Sequence, residues 1–231
     1  MGSMKKKLVV LTGAGISAES GLKTFRGSDG LWEGRSVMEV ASIEGWFKNP
    51  ELVLEFYNER RRQLADVQPN KAHKILAELE EFFDVHIVTQ NVDNLHERGG
   101  STKILHLHGE LTKAKSVRDD SLVFDIGYEN IIIGQTGKDG AQLRPAIVWF
   151  GEAVPLIAEA ERLVGEADIF AVVGTSLVVY PAAGLAGAAR PGTRSFLIDP
   201  NDVEMRLPGN FTMIKEAATT GVEKMRDALL E

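Results

Sequence analysis

Lys5 to Trp32 reads KKKLVVLTGAGISAESGLKTFRGSDGLW, and the choice of fold turns on it. Leu8-Val9-Val10-Leu11 is a short run without a polar residue, the pattern of a strand buried on both faces of a parallel sheet. It leads into Gly13-Ala14-Gly15-Ile16-Ser17-Ala18, a tight turn that opens a helix. Such a turn lets backbone N–H groups approach a dinucleotide pyrophosphate at a helix N-terminus. The same small residues also suit plain packing of a helix on a strand, so the turn alone leaves both readings open. A dehydrogenase needs a second strand with an acidic residue about 20 residues on, to hold the ribose hydroxyls. Here the chain runs instead into Phe25-Arg26-Gly27-Ser28-Asp29-Gly30-Leu31-Trp32, a polar loop with an aromatic and a cation at its centre. A nucleotide site with a mobile loop over it is the better description.

Composition narrows the class. The chain has 231 residues, 44% hydrophobic and 26% charged, which suits one large domain or one domain with a small insertion. A net charge of -7 argues against nucleic acid as the main partner. It leaves a basic peptide open as a substrate. No stretch is long and apolar enough to span a membrane, and the N-terminus shows no signal-peptide core. Met1-Gly2-Ser3 ahead of Met4 reads as an expression scar. A cytoplasmic, monomeric protein is expected. The absence of cysteine excludes a disulfide framework, a thiol nucleophile and any thiolate zinc site.

Beyond the loop, residues 37–83 hold no convincing strand. Asn49-Pro50 reads as an N-cap with Pro at the first helical position, followed by a helix to about Asp66. Pro69 starts another, in which Ile75, Leu76, Leu79 and Phe82-Phe83 recur at helical spacing. Val85–Thr89 is a second buried strand and ends in Gln90-Asn91-Val92-Asp93. Ile104–Leu107 is a third and ends in His108-Gly109-Glu110. Polar groups thus cluster just past strand ends, the edge where open α/β sheets place ligands. Residues 111–143 alternate in short stretches broken by glycines. Asp168–Val173 is a further strand, followed by the small-residue turn Gly174-Thr175-Ser176. A helix near Pro181–Arg190, strands at Ser195–Ile198 and Phe211–Ile214 and a last helix from about Thr220 complete the pattern. The fold class is α/β: a Rossmann-like parallel sheet domain from residues 4–36, 84–110 and 144–231. A smaller domain joins a helical insertion (37–83) to a zinc-free, strand-rich excursion (111–143).

Five segments, in order, resemble the sirtuins, NAD-dependent protein lysine deacylases: GAGISAESGLKTFRG (13–27), TQNVDNLH (89–96), HLHGE (106–110), LRPAIVWFGE (143–152) and GTS (174–176). The look is of the bacterial and mitochondrial-type branch that removes acidic acyl groups. The resemblance implies NAD as a consumed co-substrate, with nicotinamide and O-acyl-ADP-ribose released. It makes His108 the general base on a ribose hydroxyl, a task that suits an imidazole's near-neutral pKa. Asn91 and Asp93 would hold an ordered water or ribose hydroxyl and the nicotinamide amide, although an Asx-turn uses the same residue types. Gln90 would sit against the nicotinamide ribose beside Val92. Gly13, Ala14, Gly15, Ser17, Glu19, Arg26, Trp32 and Gly174-Thr175-Ser176 would hold the rest of the cofactor, with Phe25 shielding the reaction centre. Asp199, Asn201 and Ala218 would lie near the adenosine. Val148, Phe150, Gly151 and Glu152 would line the lysine tunnel and pair with the substrate as an added strand. His106 is expected to point away from His108, and His73, His86 and His96 to pack or lie at the surface.

Tyr57 and Arg60 lie three apart on one helix and share a face. A phenol beside a guanidinium makes a clamp for a carboxylate. Tyr-x-x-Arg at this place resembles the desuccinylase-type signature, and Ser28 leaves room for a longer acyl chain. Arg60-Arg61-Arg62 also reads as a charge run, of the kind that coats a solvated face. Sirtuins carry two Cys-x-x-Cys pairs where this chain has Ser116, Asp119, Thr136 and Asp139, so no structural zinc is expected. The excursion must then be held by its own apolar residues: Val117, Leu122, Val123, Phe124 and Ile131–Ile133. A catalytically silent NAD or ADP-ribose binding module, or a protein ADP-ribosyltransferase, would use the same pocket.

Overall fold

A computed structural model describes residues 5–23, 31–32, 34–203 and 205–231, with Leu31 described by its backbone only. Phe25, Arg26 and Ser28 lie outside the described residues. The chain enters through β1 (Lys7–Thr12) and the single-turn helix α1 (Gly15–Ala18). It continues through the paired β2 (Leu31–Trp32) and β3 (Arg35–Ser36), then α2 (Val37–Val40), α3 (Ile43–Lys48), α4 (Pro50–Asp66) and α5 (Lys71–Glu78). A 3-10 turn at Leu79–Glu81 leads to β4 (Asp84–Thr89), α6 (Leu95–Gly99) and β5 (Ile104–His106). Next come β6 (Gly109–Ser116), β7 (Val123–Asp125), β8 (Leu143–Ile147), α7 (Ile157–Gly165) and β9 (Ile169–Val173). A 3-10 segment (Ala182–Gly187), β10 (Arg194–Ile198), β11 (Phe211–Ile214) and α8 (Ala218–Leu230) finish the chain.

Six strands form one parallel sheet in the order β5-β4-β1-β9-β10-β11. Numbered by their order along the chain, these are 3-2-1-4-5-6, the dinucleotide-binding arrangement. The apolar runs make this possible because both sheet faces are covered. Leu8, Val10, Ile87, Ala171 and Ile198 pack toward α5 and α8, while Val9, Leu11, Val88, Phe170 and Val172 pack toward α7 and the Ala182–Gly187 segment. Strand order reverses between β1 and β9, and sheets of this kind take ligands outside the carboxyl ends of the strands at such a point. The helix expected near Pro181–Arg190 is the 3-10 segment Ala182–Gly187. Gly184 and Gly187 lie inside it, and glycine costs an α-helix about 1 kcal/mol each relative to alanine.

A third core joins α2–α4 to the antiparallel sheet β7-β6-β8, with Trp46, Phe56, Tyr57, Leu111, Ala114, Ile131, Leu143, Ile147 and Trp149 buried in it. Asn49 caps α4 by accepting from the Leu52 N–H, with Pro50 at the first turn. Two expectations are corrected here. Of the apolar residues assigned to holding the excursion, Val117, Val123, Ile132 and Ile133 are 45–63% exposed. Ile131 and Phe124 do pack into the third core, and polar groups around Ile131 add to the hold. Asn58 Nδ2 donates to the Ile131 carbonyl, and Asn58 Oδ1 accepts from the Ile131 N–H, both at 2.9 Å. Arg61 donates to Asn58 Oδ1 at 2.5 Å and to the Leu111 carbonyl at 2.7 Å. The arginine run is likewise not a solvated face: Arg61 is 0% and Arg60 7% exposed, and only Arg62 faces solvent. Arg61 falls four residues after Tyr57 and seven after Leu54, which puts it on the buried stripe of α4.

Candidate active site

The glycines of the opening turn are fixed by backbone contact. Gly13 N donates to the Val173 carbonyl and Gly15 N to the Gly174 carbonyl, at 3.0 and 2.8 Å. A Cβ on Gly15 would come 2.6 Å from Gly174 Cα, and one on Gly174, where φ is +65°, would come 2.3 Å from Ile16 N. The two turns therefore close on each other at the strand-order reversal, leaving a floor of bare backbone.

Side chains from three strand ends meet above that floor. Ser17 Oγ donates to Asp93 Oδ2 at 2.9 Å and accepts from Asn91 Nδ2 at 3.2 Å, while Asn91 Nδ2 also reaches the Gly13 carbonyl. Asp93 Oδ1 accepts from the Leu95 N–H, the Asx-type bond foreseen for this residue type. Burial pushes the Asp93 carboxyl above its ordinary pKa, against the hydrogen bonds from Leu95 and Ser17. Gln90 Nε2 donates to Thr175 Oγ1 at 3.3 Å, tying the end of β4 to that of β9. Beneath, Thr12 Oγ1 donates to Thr89 Oγ1, which also accepts from the Asn91 N–H, and His96 Nε2 lies 3.1 Å from Thr12 Oγ1. Thr12 and Thr89 end their apolar strands and carry no sequence signal of their own.

His108 places Nδ1 3.0 Å from the Gln90 carbonyl. A carbonyl only accepts, so Nδ1 carries the proton and Nε2 is left with the lone pair. Burial lowers the ring's pKa below its ordinary value, with the Gln90 bond opposing, so the ring is neutral and basic at Nε2 near neutral pH. His108 lies in the turn after β5, so the strand pleat does not fix its direction against that of His106. His106 Nδ1 lies 3.2 Å from the Asn91 carbonyl, the very next acceptor, and its Nε2 2.6 Å from Glu97 Oε1. His106 and Glu97 are the functional candidates that sequence reasoning missed, and the His-x-His spacing was the available signal.

Other assigned residues sit apart from this cluster. Glu19 accepts from the N–H and hydroxyl of Thr219 at the start of α8, beside the buried Ala218. Asp199 and Asn201 close a local turn after β10. Ala14 precedes α1, Ser176 is exposed, and the Val92 carbonyl accepts from Leu111 N. Trp32 packs edge-on to Phe56 and Tyr57, at 5.2 and 6.2 Å between ring centres. Tyr57 is fully buried and its hydroxyl accepts from Trp149 Nε1 at 2.9 Å; burial drives its pKa above the ordinary phenol range. Arg60 lies over the Phe56 ring at 4.4 Å and contacts Glu59 and Gln63, each at 3.2 Å. The N–H groups of Val148, Trp149, Phe150 and Glu152 are all bonded within the chain, so an added strand cannot draw on them. Glu152 turns inward, taking Arg144 Nη2 and the Trp149 N–H, while Phe150 presents an exposed ring.

A six-stranded sheet in this order, with bare backbone at its reversal point and hydroxyl, amide and carboxyl groups around it, fits a dinucleotide. The Sir2 family profile matches residues 13–181. The chain is 55% identical over 226 residues to an NAD-dependent protein deacylase of Helicobacter pylori, covering 98% of both chains. It is 51% identical over 230 residues to one of Bacteroides thetaiotaomicron, covering 97% of this chain and 98% of that one. A crystal structure of a Sir2 homologue–NAD complex matches with a TM-score of 0.87 at 37% identity, over 98% of this chain and 90% of that one. A Sir2–p53 peptide–NAD+ structure matches with a TM-score of 0.79 at 28% identity, over 98% and 95%. The chain belongs to the Sir2 family.

Proposed function

We propose that this chain is an NAD-dependent protein lysine deacylase acting on acetyl-lysine and on acidic acyl-lysines such as succinyl-, malonyl- and glutaryl-lysine. The observation that carries the reaction is the His108 tautomer: Nδ1 is committed to the Gln90 carbonyl, so Nε2 is the ring's proton acceptor. Bound NAD supplies a ribose carbon activated by its nicotinamide leaving group, to which the acyl group is passed. Gly13, Ala14, Gly15, Gly174, Thr175, Ser176 and Ser17 would hold its phosphates and sugar. Gln90, Val92, Asn91 and Asp93 would hold the nicotinamide end, and Asp199, Asn201 and Ala218 the adenosine. Asp93, protonated more readily than an ordinary carboxyl, can donate to or accept from a carboxamide. His108 Nε2 would take the proton of a ribose hydroxyl. Val148, Phe150 and Gly151 would contact the peptide.

The acidic-acyl reading is supported by Tyr57 and Arg60 flanking Phe56 on α4, with the half-exposed Glu59 the one charged partner of Arg60 among the described residues. An acyl carboxylate in that place replaces a weak, partly solvated pair with a shielded one. Mass-monitored turnover of acetyl and succinyl peptides with NAD tests both parts. NAD-dependent acyl loss with nicotinamide release is expected, and Arg60→Met lowers kcat/KM for succinyl far more than for acetyl. NAD binding without turnover would make the chain a silent module, and an unchanged ratio would remove the clamp.

A further inference from the structure

We propose that His106 is a positioning residue: held as an imidazolium between the Asn91 carbonyl and the Glu97 carboxylate, it fixes the Gln90–Asp93 segment that carries the reaction-centre side chains. The argument rests on the placement of Asn91, Asp93 and His108 given above. Both partners of the His106 ring are acceptors, the Asn91 carbonyl at 3.2 Å and Glu97 Oε1 at 2.6 Å. A neutral imidazole carries one N–H and can satisfy only one of them; the charged ring satisfies both. The groups that face it from neighbouring elements are Glu97 on α6, Glu110 on β6, Asp93 in the strand-end segment, and the buried His96. Lys113 holds Glu110 at 2.6 Å, and burial keeps His96 neutral. Carboxylates therefore outnumber cations around the ring. Burial pulls its pKa down, but Glu97 and then Glu110 outweigh burial, so the ring titrates above its ordinary value, while Glu97 titrates below its own.

The two histidines take consecutive carbonyls, Gln90 by His108 and Asn91 by His106, and their surroundings push their pKa values in opposite directions. One ring is left able to accept a proton and the other is kept charged as a strut, the separation of roles expected of paired titratable groups in one site. Losing the His106 proton removes one of the two N–H donors. Either the Asn91 carbonyl or Glu97 is then left without its partner, and the segment loses one of its anchors.

The test uses the full chain as wild type, His106→Gln and Glu97→Gln. Nitrogen-15 NMR of the histidine rings near pH 7 needs no NAD, and both His106 nitrogens are expected to be protonated there. Glu97→Gln lowers the pH at which that ring titrates. In kcat/KM profiles from about pH 6 to 9.5, the alkaline limb follows the His106 titration, shifts down in Glu97→Gln and disappears in His106→Gln. The kcat of His106→Gln falls about tenfold or more, as loss of a charged hydrogen bond implies. A neutral His106 ring near pH 7, or an alkaline limb at the same place in all three proteins, overturns the proposal. A charged ring in a wild type that never turns over NAD overturns the reaction-centre assignment and the positioning role with it, leaving only the ion pair.

Discussion

Asn58→Ala is the sharpest perturbation of the smaller core. Asn58 is 8% exposed and makes three hydrogen bonds: two with the Ile131 backbone and one with the Arg61 guanidinium. Ile131 and Arg61 are fully buried, so alanine leaves the Ile131 N–H, the Ile131 carbonyl and one arm of Arg61 unpaired. Arg61 already has one buried nitrogen without a partner, and its pKa falls to about 10 through burial. At about 1 kcal/mol for each neutral bond and about 2 for the charged one, the variant loses about 4 kcal/mol. A chain of this length has an unfolding entropy near 0.5 kcal/mol/K, so the midpoint of thermal unfolding falls by about 8 °C. Calorimetry reads the shift, and hydrogen exchange localises it: the Ile131 amide loses protection while amides of β1 and β9 keep theirs. EDTA is expected to leave the midpoint of either protein unchanged, because the chain has no cysteine to offer a thiolate zinc site. A drop under about 2 °C with Ile131 still protected would refute the reasoning, because an unmet buried group cannot cost so little.

Two further outcomes follow from the sheet. Gly174→Ala combines a left-handed backbone, costing about 1–2 kcal/mol by itself, with a collision against Ile16 N, so calorimetry should show weaker ADP-ribose binding and a lower unfolding midpoint; unchanged values would mean the two turns do not close on each other. His73 is fully buried, and desolvation lowers its pKa to about 4 from 6.5. The unfolded chain therefore binds the proton first, stability is intact above pH 6.5, and it declines as pH falls toward 4. At pH 5 this group costs about 2 kcal/mol, measured by urea unfolding. His73→Gln keeps an acceptor for the Asn70 N–H and cannot titrate, so its loss between pH 7 and 5 should be smaller by about that amount.

What the sequence disclosed depended on whether a residue's partners were local. The strands β1, β4 and β9 were legible because a strand buried on both faces has no polar alternation to obscure it. The polar strand ends at Gln90–Asp93 and His108 were legible because a topological rule places ligands there. Glu19 was not, because its partner Thr219 lies 200 residues away. Arg61 was misread as solvated although its spacing from Leu54 and Tyr57 placed it on the apolar stripe; a run of three arginines masked the periodicity. Glu152 was read as facing substrate, but Arg144, eight residues earlier on β8 and stacked on Trp149 at 3.8 Å, draws it inward.

The positions that carry zinc cysteines in the resemblance show why Asn58 and Arg61 matter. Ser116 Oγ donates to Asp139 Oδ2 at 2.6 Å and accepts from the N–H groups of Arg118 and Asp119. Asp119 accepts from Ser121, Asp139 from the Ala141 N–H, and Thr136 pairs with Gln142 across a single bridge. Each position closes its own turn, and the two turns are tied by Ser116 Oγ to Asp139, by Arg118 Nη1 to the Asp139 carbonyl and by the Val117 N–H to the Gln142 carbonyl. A tetrahedral ion binds four ligands to one centre and adds folding energy outright. A few hydrogen bonds around the half-buried Asp139 supply less than that, because water still competes for its carboxylate. The tie between the excursion and the rest of the chain must then come from where its partners are most buried. That place is the α4 face, where Asn58 grips Ile131 and Arg61 grips Leu111. A buried arginine with an unmet nitrogen is costly in isolation; here it anchors β6 to the helix that also carries Tyr57 and Arg60. Loosening Asn58 therefore reaches the helix proposed to bind the acyl group as well as the excursion. Succinyl turnover should fall in Asn58→Ala at temperatures where the parallel sheet is still fully folded.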